Sequence, residues 1–287
     1  MKRLFLLPSI LLLACFCFAE YITPQNDVPM MAASNSELYA YRYITELYRE
    51  GDSLNLSKEI TQFKASYPES AYLPYIRFIE GNLAMEAKAY ESAIAIYKSL
   101  LDTHINQNIH CEIILNYAYC LSRLKQFDPA LKLLQRLENE TGNPIYLESA
   151  NSLRGDIYYS SGQYYSAEKA YLRAVKSFPD NEELHYSLFL TYLALEKEPE
   201  ALALLKTQTP KDTYFLNYLK NWLEYLLVNE RYDDFDNFVK VYNLDATAFV
   251  PEIVDIRIRR ALCSNDYAAT AYFLQNMKES SLQFQYY

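Results

Sequence analysis

From Ser36 onward, apolar side chains return every three or four positions rather than every two, the spacing that puts them on one stripe of a helix. Leu38, Tyr41, Ile44, Leu47 and Tyr48 form the first such stripe, with Ser36 as its N-cap, Glu37 in its first turn and Gly51 as its stop. A second helix over about 56–66 ends at Tyr67-Pro68, and the same two-helix unit then recurs. Aligned on a small or apolar anchor in the second helix, the units fall at Ile60, Ala93, Ala130, Ala167, Ala201, Phe235 and Thr270, with separations of 33, 37, 37, 34, 34 and 35 residues. Tyr90, Phe127, Tyr164, Tyr232 and Tyr267 precede their anchors by three, and Tyr97, Leu134, Tyr171, Leu205, Val239 and Leu274 follow theirs by four. No single pair of that kind can bury its apolar stripe alone. The pattern predicts an all-α solenoid of about seven stacked antiparallel pairs over residues 36–280.

The N-terminus is written differently. Met1-Lys2-Arg3 is a basic start, Leu4 to Leu13 is almost wholly apolar but too short to span a bilayer, and small residues follow, the order of a secretory signal peptide over residues 1–19. Leu12-Leu13-Ala14-Cys15 resembles a bacterial lipobox, which makes Cys15 the expected lipidated residue; the competing cut follows Ala19. Residues 20–35, with Pro24, Pro29, Asn26 and Asp27 and no helical period, read as a flexible tether. Residues 281–287 alternate apolar and polar, but one strand cannot close a membrane barrel, so they read as a C-terminal tail.

Gly155, Tyr158, Ala167, Tyr171, Ala174 and Pro179 place small, aromatic and proline residues in the order of one tetratricopeptide repeat, and the chain resembles that family. Gly81, Ala93 and Tyr97, and Ala118, Leu121, Ala130 and Leu134, continue the resemblance, which is best over residues 71–210 and fades toward both ends. It implies a right-handed superhelix whose first helices line a concave groove for an extended or helical segment of another protein. The groove positions then fall on Tyr75, Phe78, Asn82 and Met85, on Glu112, Leu115, Tyr119 and Ser122, and on Ser149, Ser152, Asp156 and Tyr159. The Lys, Arg and Asn clamp with which some members of the family hold a terminal carboxylate is absent from these positions. The turn Tyr67-Pro68-Glu69-Ser70 is similar to one in accessory lipoproteins of outer-membrane barrel assembly and in periplasmic repeat proteins of cell-wall synthesis.

Composition narrows the function further. Five glycines in 287 residues exclude the glycine-rich phosphate loops and the nucleophile elbow. Without Lys2 and Arg3 the chain has 25 basic against 36 acidic side chains, which disfavours nucleic acid as a ligand. Cys111, Cys120 and Cys263 are too few and too scattered for a disulfide framework or a metal cage. His104, His110 and His185 have no ligand partners at metal spacing. The acidic runs Glu182-Glu183, Glu196 to Glu200 and Asp233 to Asp236 sit where helix starts favour carboxylates, and Arg257, Arg259 and Arg260 read as a solvated helix face. No catalytic residue, metal or cofactor is expected. The expected function is a non-enzymatic scaffold of the bacterial cell envelope, facing the periplasm, held to a membrane by an N-terminal lipid and binding another envelope protein. The alternatives are an accessory lipoprotein of barrel assembly or cell-wall synthesis, and a transporter-associated protein with a small ligand in a tyrosine-lined interior.

Overall fold

A computed structural model describes residues 34–103, 105–242, 244 and 251–276 of the chain. The signal peptide, Cys15, most of the tether, His104 and the C-terminal tail lie outside the described residues. Among the described residues there are fourteen α-helices and no strand, grouped as seven successive pairs. The pairs are α1 (Asn35–Glu50) with α2 (Ser53–Ser66), α3 (Leu73–Glu86) with α4 (Tyr90–Leu100), α5 (Gln107–Arg123) with α6 (Phe127–Glu140), and α7 (Pro144–Ser160) with α8 (Tyr164–Ser177). They continue as α9 (Glu182–Ala194) with α10 (Glu198–Thr207), α11 (Phe215–Val228) with α12 (Tyr232–Val241), and α13 (Pro251–Cys263) with α14 (Tyr267–Asn276). The chain forms two compact units that divide between Ser177 and Phe178, α1–α8 in the first and α9–α14 in the second. Within each, the first helices of neighbouring pairs also touch: α3 with α5 and α5 with α7, then α9 with α11 and α11 with α13. The all-α solenoid of about seven pairs is therefore the observed fold class.

One turn joins the two helices of every pair. Gly51, Lys88, Lys125, Gly162, Glu196, Glu230 and Asn265 all have φ between 58° and 76°, two residues before the second helix begins. Each closes a Schellman motif: in the first pair Gly51 N–H donates to Tyr48 O at 3.2 Å and Asp52 N–H to Leu47 O at 3.1 Å, and the same two bonds recur at the other six turns. Five of the seven residues have a side chain in the left-handed region, a strain of about 1–2 kcal/mol apiece. Gly162→Ala is expected to lower the stability of the first unit by roughly 1 kcal/mol from backbone strain alone, because nothing lies within 4 Å of an added Cβ. Lys125→Gly is expected to raise it by about 0.5–1 kcal/mol. Urea unfolding midpoints check both.

The same turn corrects the register of the first repeat. From Lys88 onward the anchor lies five residues after the left-handed residue. Five after Gly51 is Leu56, which is 1% exposed, not Ile60. The anchor spacing becomes 37, 37 and 37 residues through the first unit and 34, 34 and 35 through the second. Ile60 takes the position of Tyr97 and Tyr171, and Pro68 takes that of Pro179. The spacing first shortens, between Ala167 and Ala201, in the first helix of the pair: α9 has 13 residues where α5 and α7 have 17. The first cap shifts as well. Ser34, not Ser36, accepts from Glu37 N–H at 3.2 Å, and the Glu37 carboxylate is taken by the Ser70 hydroxyl across the pair.

The repeat positions are explained by packing. The anchors Ala93, Ala130, Ala167 and Ala201 are fully buried where the first and second helices cross. Facing Ala93, Ala130 and Ala167, the residue twelve before the anchor and the residue four after it share one volume. Gly81 faces Tyr97, and a Cβ on Gly81 would lie 2.7 Å from Tyr97 Cε1; Gly155 faces Tyr171 even more closely. Where the first position is Ala118, the second is Leu134, and both are fully buried. Glycine is kept only where a tyrosine ring occupies the space.

Candidate functional site

The face built by α3, α5 and α7 is where the family resemblance puts partner contacts. Its twelve expected residues divide by burial. Phe78, Leu115, Tyr75, Met85, Asn82 and Glu112 are between 1% and 7% exposed. Phe78 lies with its ring 6.3 Å from that of Tyr97, Tyr75 stands edge-on to Tyr41 at 6.2 Å, and Leu115 packs among Ala118, Leu121 and Leu153. These side chains hold the unit together, because first helices that pack side by side enclose whatever points along their seam. Ser122 is buried with its hydroxyl on Tyr119 O, while Ser149, Ser152 and Asp156 are half-buried. Tyr119 and Tyr159 are also half-buried, and each meets the first residue of a second helix: Tyr119 stands edge-on to Tyr90 at 6.3 Å, and Tyr159 to Tyr164 at 5.2 Å. The Arg123 guanidinium lies 5.9 Å above Tyr90. What reaches the surface on this face is thus a row of tyrosines at the turn end of the pairs. Tyr90 and Tyr164 were legible as a recurring aromatic, but their role on this face depends on the tilt of one helix over another.

Polar groups form a second feature, inside the seam. Tyr97 Oη donates to Asn82 Oδ1 at 2.8 Å, and Asn116 Nδ2 donates to the same oxygen at 3.0 Å. Tyr171 Oη donates to Asp156 Oδ1 at 2.6 Å, repeating the first contact two pairs on. Tyr48 Oη donates to Glu86 Oε1 at 3.2 Å. Between these lies Glu112, 3% exposed, with the Tyr146 hydroxyl as its hydrogen-bond donor; desolvation by burial pushes its carboxyl up to about 7. Burial likewise raises the Tyr48 and Tyr97 hydroxyls well above the usual phenol range.

The remaining candidates have local partners. His110 Nε2 lies 3.1 Å from Glu140 Oε2, and His185 Nε2 lies 2.7 Å from Pro179 O. Cys111 and Cys120 are buried in α5, and burial raises the Cys111 thiol. No group of three or more His, Cys, Asp or Glu that could hold a metal occurs among the described residues. The arginines of α13 are half-buried and engage neighbouring helices. Arg259 forks onto Glu224 of α11, Arg260 Nη2 reaches Asp236 of α12 at 2.5 Å with its guanidinium 4.7 Å above Tyr232, and Arg257 lies 4.9 Å above Phe273. No helix among the described residues is long and apolar enough to cross a membrane.

Helix pairs that repeat one turn, one anchor and one crossing, with a tyrosine-bearing face along the first helices, define a helical-repeat protein. Residues 4–194 match the tetratricopeptide repeat-like domain, and the chain belongs to that family. A curated relative, the small glutamine-rich tetratricopeptide repeat-containing protein 2 of Mycosarcoma maydis, is 32% identical over 112 residues, which are 38% of this chain and 29% of that protein. The chain thus spans under a third of that relative's length. Among solved structures, a tetratricopeptide repeat protein from Parabacteroides merdae superposes with a TM-score of 0.63 at 12% identity, over 86% of this chain and 94% of that one. That likeness is one of fold.

Proposed function

We propose that the chain is a non-enzymatic protein-interaction scaffold of the bacterial cell envelope, exported by its N-terminal segment, held to a membrane by a lipid on Cys15, and facing the periplasm. It engages a segment of another envelope protein along α3, α5 and α7. The observation that carries the reading is the row of half-buried tyrosines Tyr90, Tyr119, Tyr159 and Tyr164 on that face. Tyrosine contributes large, stiff contact area with a polar tip, the residue type that dominates interface energies. Phe78 and Leu115 have their apolar surface already occupied by the unit's own core, so the contact rests on the tyrosines.

The test is photo-crosslinking in native cells. A benzoylphenylalanine at Tyr159 is expected to capture one discrete partner, whereas the same group at Leu172, 44% exposed on α8, captures none. Capture from Leu172 alone would move the interface to the opposite side. Cys15→Ser should release the protein from the membrane fraction; an unmodified N-terminus at Glu20 in the native protein overturns the lipid anchor.

A further inference from the structure

The second unit contains a tyrosine and carboxylate corner that lacks a component found at comparable places elsewhere in the chain. Along α12 and α13 the chain pairs a tyrosine face, a carboxylate and an arginine: Arg260 lies over Tyr232 and bonds Asp236. Between α10, α11 and the start of α12, Arg231 bonds Glu198 at 2.6 Å while Tyr225 Oη donates to the same carboxylate at 2.8 Å. Arginine suits such places because its planar guanidinium stacks on a ring while its edge donates to carboxylate.

At the N-terminal ends of α9 and α11 the same parts recur. Tyr186 stacks on Tyr214, ring centroids 4.9 Å apart and 18° from parallel, and stands edge-on to Tyr218 at 5.2 Å. Asn221 Nδ2 fixes Tyr186 by donating to its hydroxyl at 2.7 Å. Glu182, Glu183 and Asp212 surround the rings, and the charged groups that act on Tyr214 and Tyr218 are these carboxylates. Two of them have local work: Glu182 Oε2 accepts from Thr213 N–H at 3.1 Å, and Asp212 Oδ2 accepts from Thr209 N–H at 2.5 Å. Glu183 has none. It is half-buried beside Tyr214, accepts no hydrogen bond from any described residue, and burial alone pushes its carboxyl up. The Tyr218 hydroxyl, fully buried, likewise has no partner among the described residues, and its electrostatic neighbours are Tyr186, Glu182, Asp212 and Tyr214. A desolvated carboxylate and an unpaired phenol oxygen beside tyrosine rings leave acceptors without a donor and negative charge without a cation.

We propose that this corner binds an arginine side chain of the partner protein, its guanidinium against the Tyr214 ring and its N–H edge on the Glu183 carboxylate. The inference rests on the scaffold reading only for the source of the arginine.

The test uses the full chain and two small probes of the same shape, Nα-acetyl-arginine methylamide and its uncharged citrulline counterpart, titrated by saturation-transfer NMR. The arginine probe is expected to saturate and the citrulline probe to bind at least ~10-fold more weakly, the order of a charge-assisted hydrogen bond with a cation–π contact. Glu183→Gln should weaken the arginine probe by a similar factor, and Tyr214→Leu should do the same. Glu91→Gln, an exposed glutamate of α4, should leave it unchanged. Equal binding of the two probes to the wild-type chain overturns the proposal without reliance on any variant, as does an unaltered titration with Glu183→Gln. A partner crosslinked at Tyr159 together with no arginine binding would leave the scaffold reading standing and remove only this site.

Discussion

At pH 8, Glu112→Gln is expected to stabilise the first unit by about 2–3 kcal/mol relative to the wild type, and at pH 4 to change its stability little, from the rise of the Glu112 carboxyl to about 7. The sign follows from which form the fold favours. Burial disfavours the carboxylate, so the folded chain holds a proton that the unfolded chain releases at an ordinary glutamate value. The contribution of Glu112 is therefore most favourable below the unfolded value and is lost as pH rises through about 7, where the charge must be kept in the seam. The groups around it do not compensate: Tyr146 of α7 donates one hydrogen bond, Tyr48 of α1 is within electrostatic reach, and Asn82 and Glu86 of the adjacent α3 add no positive charge. Thermal melts of both proteins across this range should converge at low pH and diverge at high pH. Parallel curves would show that Glu112 titrates alike in the folded and the unfolded chain.

Gly155→Ala is expected to destabilise the first unit by about 1–3 kcal/mol, although alanine is the better helix former at a mid-helix site. The added methyl would enter the Tyr171 ring, which is 1% exposed and tied at its hydroxyl to Asp156 at 2.6 Å, so it cannot swing away. Tyr171→Leu should cost stability by itself through lost contacts and the lost hydrogen bond. Combined, the two changes are expected to be less damaging than their sum by roughly 1 kcal/mol or more, the coupling of residues that share one volume. The chain already contains that combination in Ala118 and Leu134. A double-mutant cycle from urea unfolding measures the coupling; strict additivity would mean that the two positions do not share space.

Those two positions show how far the sequence reaches. The period, the anchors and the paired small and bulky residues are local: a helix needs its apolar residues three and four apart, a pair needs a small residue where its members cross, and both requirements appear directly as spacing. The number of pairs and their boundaries follow from them. Register is less secure where the anchor is itself bulky. Leu56 and Ile60 lie on the same helical stripe, and only the left-handed turn at Gly51 shows which of them sits at the crossing. Five of the seven left-handed residues are Lys, Glu or Asn, so the turns carry no glycine signal to read.

By itself the sequence determined an all-helical chain of about seven pairs, one repeat architecture, and the residue types along each first helix. Tertiary structure decided which of those residues are available. Phe78 and Leu115 satisfy a groove pattern in one dimension, but their side chains are covered by α4, α6 and the neighbouring first helices, so they act as core. Arg257, Arg259 and Arg260 look solvated along the chain, yet α11, α12 and α14 bring Glu224, Asp236 and aromatic rings to them. Glu183 is the converse case, an ordinary first-turn carboxylate in sequence that packing desolvates without giving it a partner. Helical periodicity fixes which face a side chain lies on, whereas its exposure and charge environment come from helices tens of residues away, which no local pattern encodes.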